Sequence, residues 1–554
     1  MNPTEWRADP VGSTCFVFGL FLLLFGLYSR VIKNAYLSEP LLSTLFGIAL
    51  GPRILGAVNL VPEQWMDEEG GEAEEARETL KWFCRIVIGI QVLFAASTLP
   101  SRWLLEGKNV KSLIVLLIPV MTVSWLVTGA LVKLCLPSTR MSEALMIGAC
   151  IAPTDPVLAN SVVKGIFAEQ HVPQYIRELL VAESGINDGF GSPFLFIPLF
   201  AVLNNYEAGK TARDFFLYTA FWDTFWGSFL GGMIGYAARK GLKIARRKET
   251  IDRESMLVFS VALAFFTIGI ANIFKTNELL ACFFAGTALN WTDKISTPTS
   301  QKEWNFFFDT SVFLLLGSIL PFSTWADPNF LPLGRLVLLG VLILILRRLP
   351  VVLFLQNHVP LIKARKEATF VGFFGPIGVG ALYYALVATE ELPHDYTSRS
   401  RIIPVVTFVV FCSIIVHGTS APLIMRQSRP LFYSIFLTFG SQVARNLPAL
   451  ALQKATPTDV AEATERDPLL RHSSTHQRIS QAAATSAEDL DEDEELDEDR
   501  KAGVAYPAMG GDENLHHAKS KRGSSGRRDS TRSPARSTSR IRQSLLAPPD
   551  GNPV

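Results

Sequence analysis

Ser142-Glu-Ala-Leu-Met-Ile-Gly-Ala-Cys-Ile-Ala-Pro-Thr-Asp-Pro-Val-Leu-Ala159-Asn-Ser-Val-Val-Lys164 is an apolar run long enough for a membrane helix, yet Asp155 lies in its middle between Pro153 and Pro156. Pro156 has no N–H to donate and its ring clashes with the preceding turn, so the helix is expected to break there, leaving carbonyls free beside an acid. A carboxylate and unbonded carbonyls in one broken helix outline a cation site, and broken helices of this kind recur at transporter midplanes.

The surrounding chain sets this run in its class. The 554 residues are 49% apolar, and the apolar residues fall in stretches near 13–33, 36–56, 80–98, 110–136, 142–164, 176–204, 213–238, 254–274, 277–291, 304–323, 332–356, 366–390 and 401–425. Most approach the ~20 residues that a helix needs to cross a bilayer core. The sequence therefore predicts an all-α polytopic membrane protein of about thirteen transmembrane helices over residues 1–428, with segment 277–291 short and buried among its neighbours. Met1 to Pro10 lacks a basic n-region, and no removable signal peptide is expected. Cys15, Cys84, Cys135, Cys150, Cys282 and Cys412 fall in or beside apolar segments without paired spacing and read as small hydrophobes.

Loop charge predicts orientation. Arg30 and Lys33, then Arg102, Lys108 and Lys111, the connection Ala238 to Lys248, and Arg347, Arg348, Lys363, Arg365 and Lys366 fall on one side; Asp67 to Glu75 with Glu390, Glu391 and Asp395 fall on the other. The basic side is cytosolic by this rule, which places the N-terminus outside and the C-terminal tail in the cytosol. Residues 429–456 are apolar but interrupted and read as an interfacial segment. Residues 457–554 lack apolar periodicity and read as a disordered cytosolic tail, in which the acidic run 488–499 competes with anionic lipid for the basic run 519–533. Ser530 and Ser533 would then be regulatory phosphosites for a kinase. The net charge of +1 averages these two runs, and no nucleic-acid partner is expected; membrane lipid is.

The sixth segment carries a second polar group, Val181-Ala-Glu-Ser-Gly-Ile-Asn-Asp-Gly-Phe190. Ionisable residues this deep in apolar helices are functional candidates because desolvation is costly. Glu183 and Asn187 share a helix face, whereas Asp188 is turned about 100° away, so the two acids need not do the same work. Asp188 is assigned the binding role, Asn187 a supporting amide, and Glu183 charge balance; the plainer alternative is that Asp155 and Asp188 pair with buried bases for structure alone. Asn277 and Glu278 either neutralise a basic neighbour or line the ion path. His417, near the end of the last span, reads as a capping or packing residue.

Thr154-Asp155-Pro156 with Glu183-Ser184-Gly185 and Asn187-Asp188 resembles the paired signature of the monovalent cation/proton antiporter family. Leu37 to Leu42, Gly47 to Pro52, Arg85 to Gln91, Glu278 to Gly286, Phe374 to Gly378 and Val416 to Ser420 resemble its fungal plasma-membrane branch. The resemblance implies inverted repeats, two discontinuous crossing helices, a homodimer, and a moving core. It implies exchange of internal Na+, with Li+ and K+ alongside, for external H+, with no organic cofactor. Two departures accompany it. Relatives carry an arginine where this chain has Phe374, which leaves Glu183 without its usual partner, with Arg85 or Arg177 as substitutes. Electrogenic relatives carry Asp-Asp where this chain has Asn187-Asp188, which favours one-for-one exchange. The ligand set would be Asp188, Asp155, Thr154 and carbonyl oxygens, hard donors suited to a hard cation. A non-enzymatic role follows, against an intramembrane aspartyl protease, whose Gly-x-Gly-Asp pattern is missing at Asp188, and against a cation sensor, which would need a folded cytosolic domain.

Overall fold

The computed structural model describes residues 10–34, 38–51, 54, 71–156, 158–159, 172–291, 298–393, 396 and 399–426. The start of the chain, residues 67–70 of the acidic run, Asp395, the interfacial segment 429–456, the tail 457–554 and the phosphosites Ser530 and Ser533 lie outside them. All regular structure in the described residues is helical.

The helices in chain order are α1 Pro10–Asn34, α2 Glu39–Leu50, α3 Gly71–Ser97, α4 Gly107–Val115, α5 Met121–Cys135, α6 Met141–Ile151, α7 Gln174–Phe190, α8 Ser192–Leu203, α9 Ala208–Asp214, α10 Gly227–Arg247, α11 Arg253–Ile273, α12 Glu278–Leu289, α13 Pro298–Ser318, α14 Phe322–Ala326, α15 Leu333–Leu346, α16 Leu349–Leu355, α17 Arg365–Phe373, α18 Val379–Glu391 and α19 Arg399–Arg426. Two π-helical stretches, Leu116–Val120 and Phe215–Trp226, join α4 to α5 and α9 to α10. Five described helical runs are long and apolar enough to cross a membrane: 73–97, 107–135, 174–203, 333–358 and 399–419. Other segments expected to span are shorter or interrupted, because prolines and glycines divide them: α6 stops before Pro153, and α17 and α18 flank Phe374-Gly-Pro-Ile-Gly378.

Three expectations about loops are corrected. Glu72, Glu74 and Glu75 belong to the first turns of α3. The basic connection from Ala238 continues α10 to Arg247, its alanines, lysines and arginines being good helix formers. Arg347 and Arg348 are 3% and 7% exposed and sit at the α15–α16 break, inside the protein. Pro350 at the start of α16 cannot donate to the preceding turn, and that break is its consequence. Of the cysteines, Cys84, Cys135, Cys150 and Cys282 are buried, Cys412 is half-buried and Cys15 is exposed.

The core is continuous from α3 through α19. Lipid gives no hydrophobic drive for helices to associate, so close packing must do it. Where α10 crosses α12, a Cβ on Gly231 or Gly235 would strike the backbone of Ala281 or Ala285, so the two helices meet backbone to backbone. The aromatic and apolar residues Phe216, Leu217, Phe221, Phe225, Phe229 and Met233 are exposed, suited to lipid.

Candidate ion site at the crossing of two broken helices

Asp155 follows the end of α6 outside regular helix and joins it to a second break, that between α17 and α18. Its N–H donates to Pro376 O at 2.8 Å. Its Oδ1 accepts the Leu158 N–H at 2.9 Å, and its Oδ2 accepts the Val379 N–H at 3.1 Å. One carboxylate thus caps two helix starts, each of which has N–H groups without intrahelical partners. Gly378 makes room for this: a Cβ there would overlap the Asp155 carboxylate.

Thr154 holds the same break to α7. Its N–H donates to Asn187 Oδ1 at 3.3 Å, and its hydroxyl accepts from Asn187 Nδ2 at 2.8 Å. The Ser184 hydroxyl lies 3.1 Å from it. Asn187 is thereby a bracket between α7 and the Asp155 break.

Asp188, on the next helical position, is 2% exposed, and its Oδ1 has no hydrogen-bond partner. A Cβ on Gly380 would come within 2.8 Å of that oxygen, so the start of α18 faces it closely. The backbone carbonyl of Asp188 accepts from the Tyr384 hydroxyl, which also lies 3.3 Å from Gly189 O. A buried carboxylate oxygen left without a donor is an unusual arrangement, since burial removes the water that would otherwise satisfy it.

The partner of Glu183 is Arg348, neither Arg85 nor Arg177. The Arg348 guanidinium holds both carboxylate oxygens in a fork at 2.6 and 2.7 Å. Fork pairing of this kind is the strongest ordinary ion-pair geometry. It is reached because the α15–α16 break turns Arg348 inward. Arg85 instead lies 3.4 Å from Glu278 and stacks on Trp82. Arg177 lies nearer the start of α7, half-buried, with Nε unbonded. Phe374 is buried against Phe370, Phe373 and His417.

Asn277 caps α12 by accepting the Leu280 N–H at 2.9 Å. Its amide donates to Gly189 O at 3.0 Å, to Ser192 Oγ at 3.2 Å and to Asp223 Oδ2 at 3.1 Å. Asp223 was not singled out from the sequence. It lies in Phe221-Trp-Asp-Thr-Phe-Trp226, and the rule that selected Asp155 and Asp188, an acid inside an apolar segment, applies to it equally. Ser192 donates to Asp223 Oδ2 at 2.6 Å. Beyond this group Lys81 pairs with Glu390 and ties α3 to the end of α18. His417 bridges Ser413 and the Phe373 carbonyl at 3.0 Å, beside the second break.

A helical membrane bundle with two interrupted helices crossing at a buried, unpartnered carboxylate defines the secondary-transporter class. Comparison with known proteins narrows this. Residues 19–427 match the transmembrane model of the sodium/hydrogen exchangers, and the chain belongs to that family. It is 36% identical over 431 residues to the Na+/H+ antiporter 2 of Zygosaccharomyces rouxii, covering 74% of this chain and 52% of the relative. A Na+/H+ antiporter of Saccharomyces cerevisiae is 36% identical, with 73% and 42% covered. One from Schizosaccharomyces pombe is 35% identical, with 75% and 91% covered. The chain thus spans about half the length of the first two relatives. The structure of the sodium proton antiporter MjNhaP1 from Methanocaldococcus jannaschii at pH 8 shares the fold at 18% identity and a TM-score of 0.53, covering 74% of this chain and 98% of that one.

Proposed function

We propose that this chain exchanges Na+, with Li+ and K+ as further substrates, against H+ by competition at Asp188. The observation that carries the reading is the buried Asp188 Oδ1, which has no protein donor in a site built from two helix breaks. Such an oxygen is stable when it holds a proton or a cation and costly when bare. One group that holds either ion but not both couples the two flows, and the empty charged site resists crossing the low-dielectric barrier. No bond is made or broken and no organic cofactor takes part.

Asp155 and Thr154 supply oxygens next to Asp188 while fixing the two breaks, and Asn187 holds Thr154 in place. Glu183 with Arg348, and Arg85 with Glu278, balance charge along the helices that flank the site. The fungal names of the relatives support a plasma-membrane exporter serving salt tolerance and pH homeostasis, with the basic side and the tail in the cytosol. The family fold supports a homodimer.

The test is cation-dependent proton movement in sealed vesicles, comparing wild type with Asp188→Asn for Na+, Li+ and K+ across a pH series. The substitution keeps the shape and removes the charge. Wild-type exchange with background signal from an equally abundant variant is the expected result. Exchange by the variant would move the site to Asp155 or Glu278, and a wild type that moves no protons would favour a sensor.

A further inference from the structure

Asp223 has no part in the exchange at Asp188 described above, yet it is joined through Ser192 to the helical turn that follows Asp188. Its Oδ2 accepts from the Ser192 hydroxyl at 2.6 Å and from Asn277 Nδ2 at 3.1 Å. Its Oδ1 receives no donor from the described residues and, unlike Asp188 Oδ1, is not sealed inside the protein; the residue as a whole is half-buried. Gly191, between α7 and α8, keeps helical dihedrals of φ −68° and ψ −27°. Asp188 and Ser192, four positions apart, therefore share a face, with Cβ atoms about 5–6 Å from each other. One water spans such a gap between a carboxylate and a hydroxyl. Asn277 closes the group from α12, since its amide also donates to Gly189 O at 3.0 Å. Gly227 allows that approach: a Cβ there would come within 2.9 Å of Thr276 Oγ1 and 3.1 Å of Asn277 O. Asp223 also lies in the π-helical stretch Phe215–Trp226, a winding found frequently at functional sites.

The order of groups along two helices gives the direction. On α18, Gly380 faces the Asp188 carboxylate, Tyr384 reaches the carbonyls of Asp188 and Gly189 one turn on, and Glu390 pairs with Lys81 near the helix end. On α3, Lys81 and Arg85 are one turn apart, and Arg85 meets Glu278, next to Asn277. The Asp223 group thus lies between Asp188 and the end of the bundle that carries Glu390 and Glu391. The other ionisable groups near Asp223 are Glu278, which Arg85 offsets, and the Tyr383 and Tyr384 hydroxyls of α18. Among the described residues no Lys or Arg lies within ion-pair distance of Asp223, so no base pins its charge.

We propose that Asp223 is the proton-transfer residue on the route between Asp188 and that acidic end, with the Ser192 hydroxyl as its relay. The inference rests on the exchange reading above and adds to it a path for H+ alone. In the loading direction, Asp223 takes a proton on Oδ1 from water at the acidic end. Rotation of the carboxyl group presents that proton to Ser192 Oγ. As it arrives, the Ser192 proton leaves to the bridging water, which gives one of its own protons to Asp188 Oδ1. The hydroxyl and the water each gain one proton and lose one, so the net change is transfer from Asp223 to Asp188. Asp223 returns to the carboxylate held by Ser192 and Asn277, and unloading runs the same steps backward. A hydroxyl can act this way because it both donates and accepts. A cation moves as a whole ion and is not relayed through a hydroxyl, so Na+ reaches Asp188 without Asp223.

The experiment uses the full chain in proteoliposomes and compares two fluxes: Na+-driven proton movement, read by an internal pH dye, and self-exchange of radiolabelled Na+, which moves no protons. Asp223→Asn keeps the shape and removes the titrating group. It should slow Na+/H+ exchange about 100-fold, the common worth of a positioned proton-transfer group, while Na+ self-exchange stays at the wild-type rate. Asp223→Glu should restore most of the proton flux, and Ser192→Ala should show the same split between fluxes as Asp223→Asn. Equal loss of both fluxes in Asp223→Asn overturns the relay and makes the group structural or a cation ligand. Unchanged proton flux in that variant, or an Asp223→Glu variant as slow as it, overturns the role of the carboxyl group. If Asp223→Asn does not fold, Ser192→Ala decides the matter by the same split. A wild type that lacks either flux removes the exchange reading and this inference together, whereas a wild type with both fluxes and any overturning result removes this inference alone.

Discussion

At the residue scale, the Glu183–Arg348 fork carries the sharpest stability prediction. Both partners are buried, and removing one leaves the other charged in a medium that cannot solvate it, which costs about 3–5 kcal/mol. Arg348→Gln should therefore lower the thermal midpoint of the purified protein markedly, and adding Glu183→Gln should recover most of the loss. A double variant no more stable than the single one would mean that the fork is not the origin of the effect. That Asp155, Glu183 and Asp188 are buried was legible because an Asp or Glu inside an apolar stretch is conspicuous. The two buried arginines were not. Arg347 and Arg348 follow Leu342 to Leu346 at the point where an apolar run ends, and two adjacent arginines there are indistinguishable in sequence from a cytosolic loop. Only the backbone turn before Pro350 brings them inside. Asp223 was within reach of the rule and was masked by the aromatic run around it.

At the scale of elements, the Asp155 break was announced by the prolines on either side of it, while the break at Phe374 to Gly378 was missed: 366–390 reads as one apolar segment, and the resemblance implies a second broken helix without locating it. Gly378 ties the two together. Its lack of a side chain admits the Asp155 carboxylate, so Gly378→Ala should push that carboxylate away from the Val379 N–H without emptying the surrounding core. Exchange should fall on the order of 100-fold, as misplacement by a fraction of a side chain does at preorganised sites, while size-exclusion behaviour stays that of wild type. Retained exchange would mean that the second break tolerates displacement. The π-helical stretch Phe215–Trp226 had no sequence signal, since its aromatic residues satisfy an α-helical span equally well.

At the scale of the molecule, every group that the proposed mechanism names lies between Arg85 and Arg348. Deleting residues 457–554 should leave cation-driven proton movement in vesicles intact and alter surface abundance or pH dependence in cells; loss of exchange by a correctly delivered truncation would place an essential element in the tail. The helical class was legible because a bilayer demands long apolar helices, and Asp155, Glu183 and Asp188 stood out because it penalises buried charge. Which spans are continuous was not, since interrupted helices satisfy the same apolar count as continuous ones.

The double cap made by Asp155 has a consequence for how the site opens. Two helix starts, contributed by chain segments more than two hundred residues apart in sequence, depend on a single carboxylate, so neither can unwind without stripping a hydrogen bond from the other. Fraying at this crossing is therefore cooperative: the pair behaves as one unit of local stability, and a motion that exposes Asp188 carries both breaks along as a rigid body.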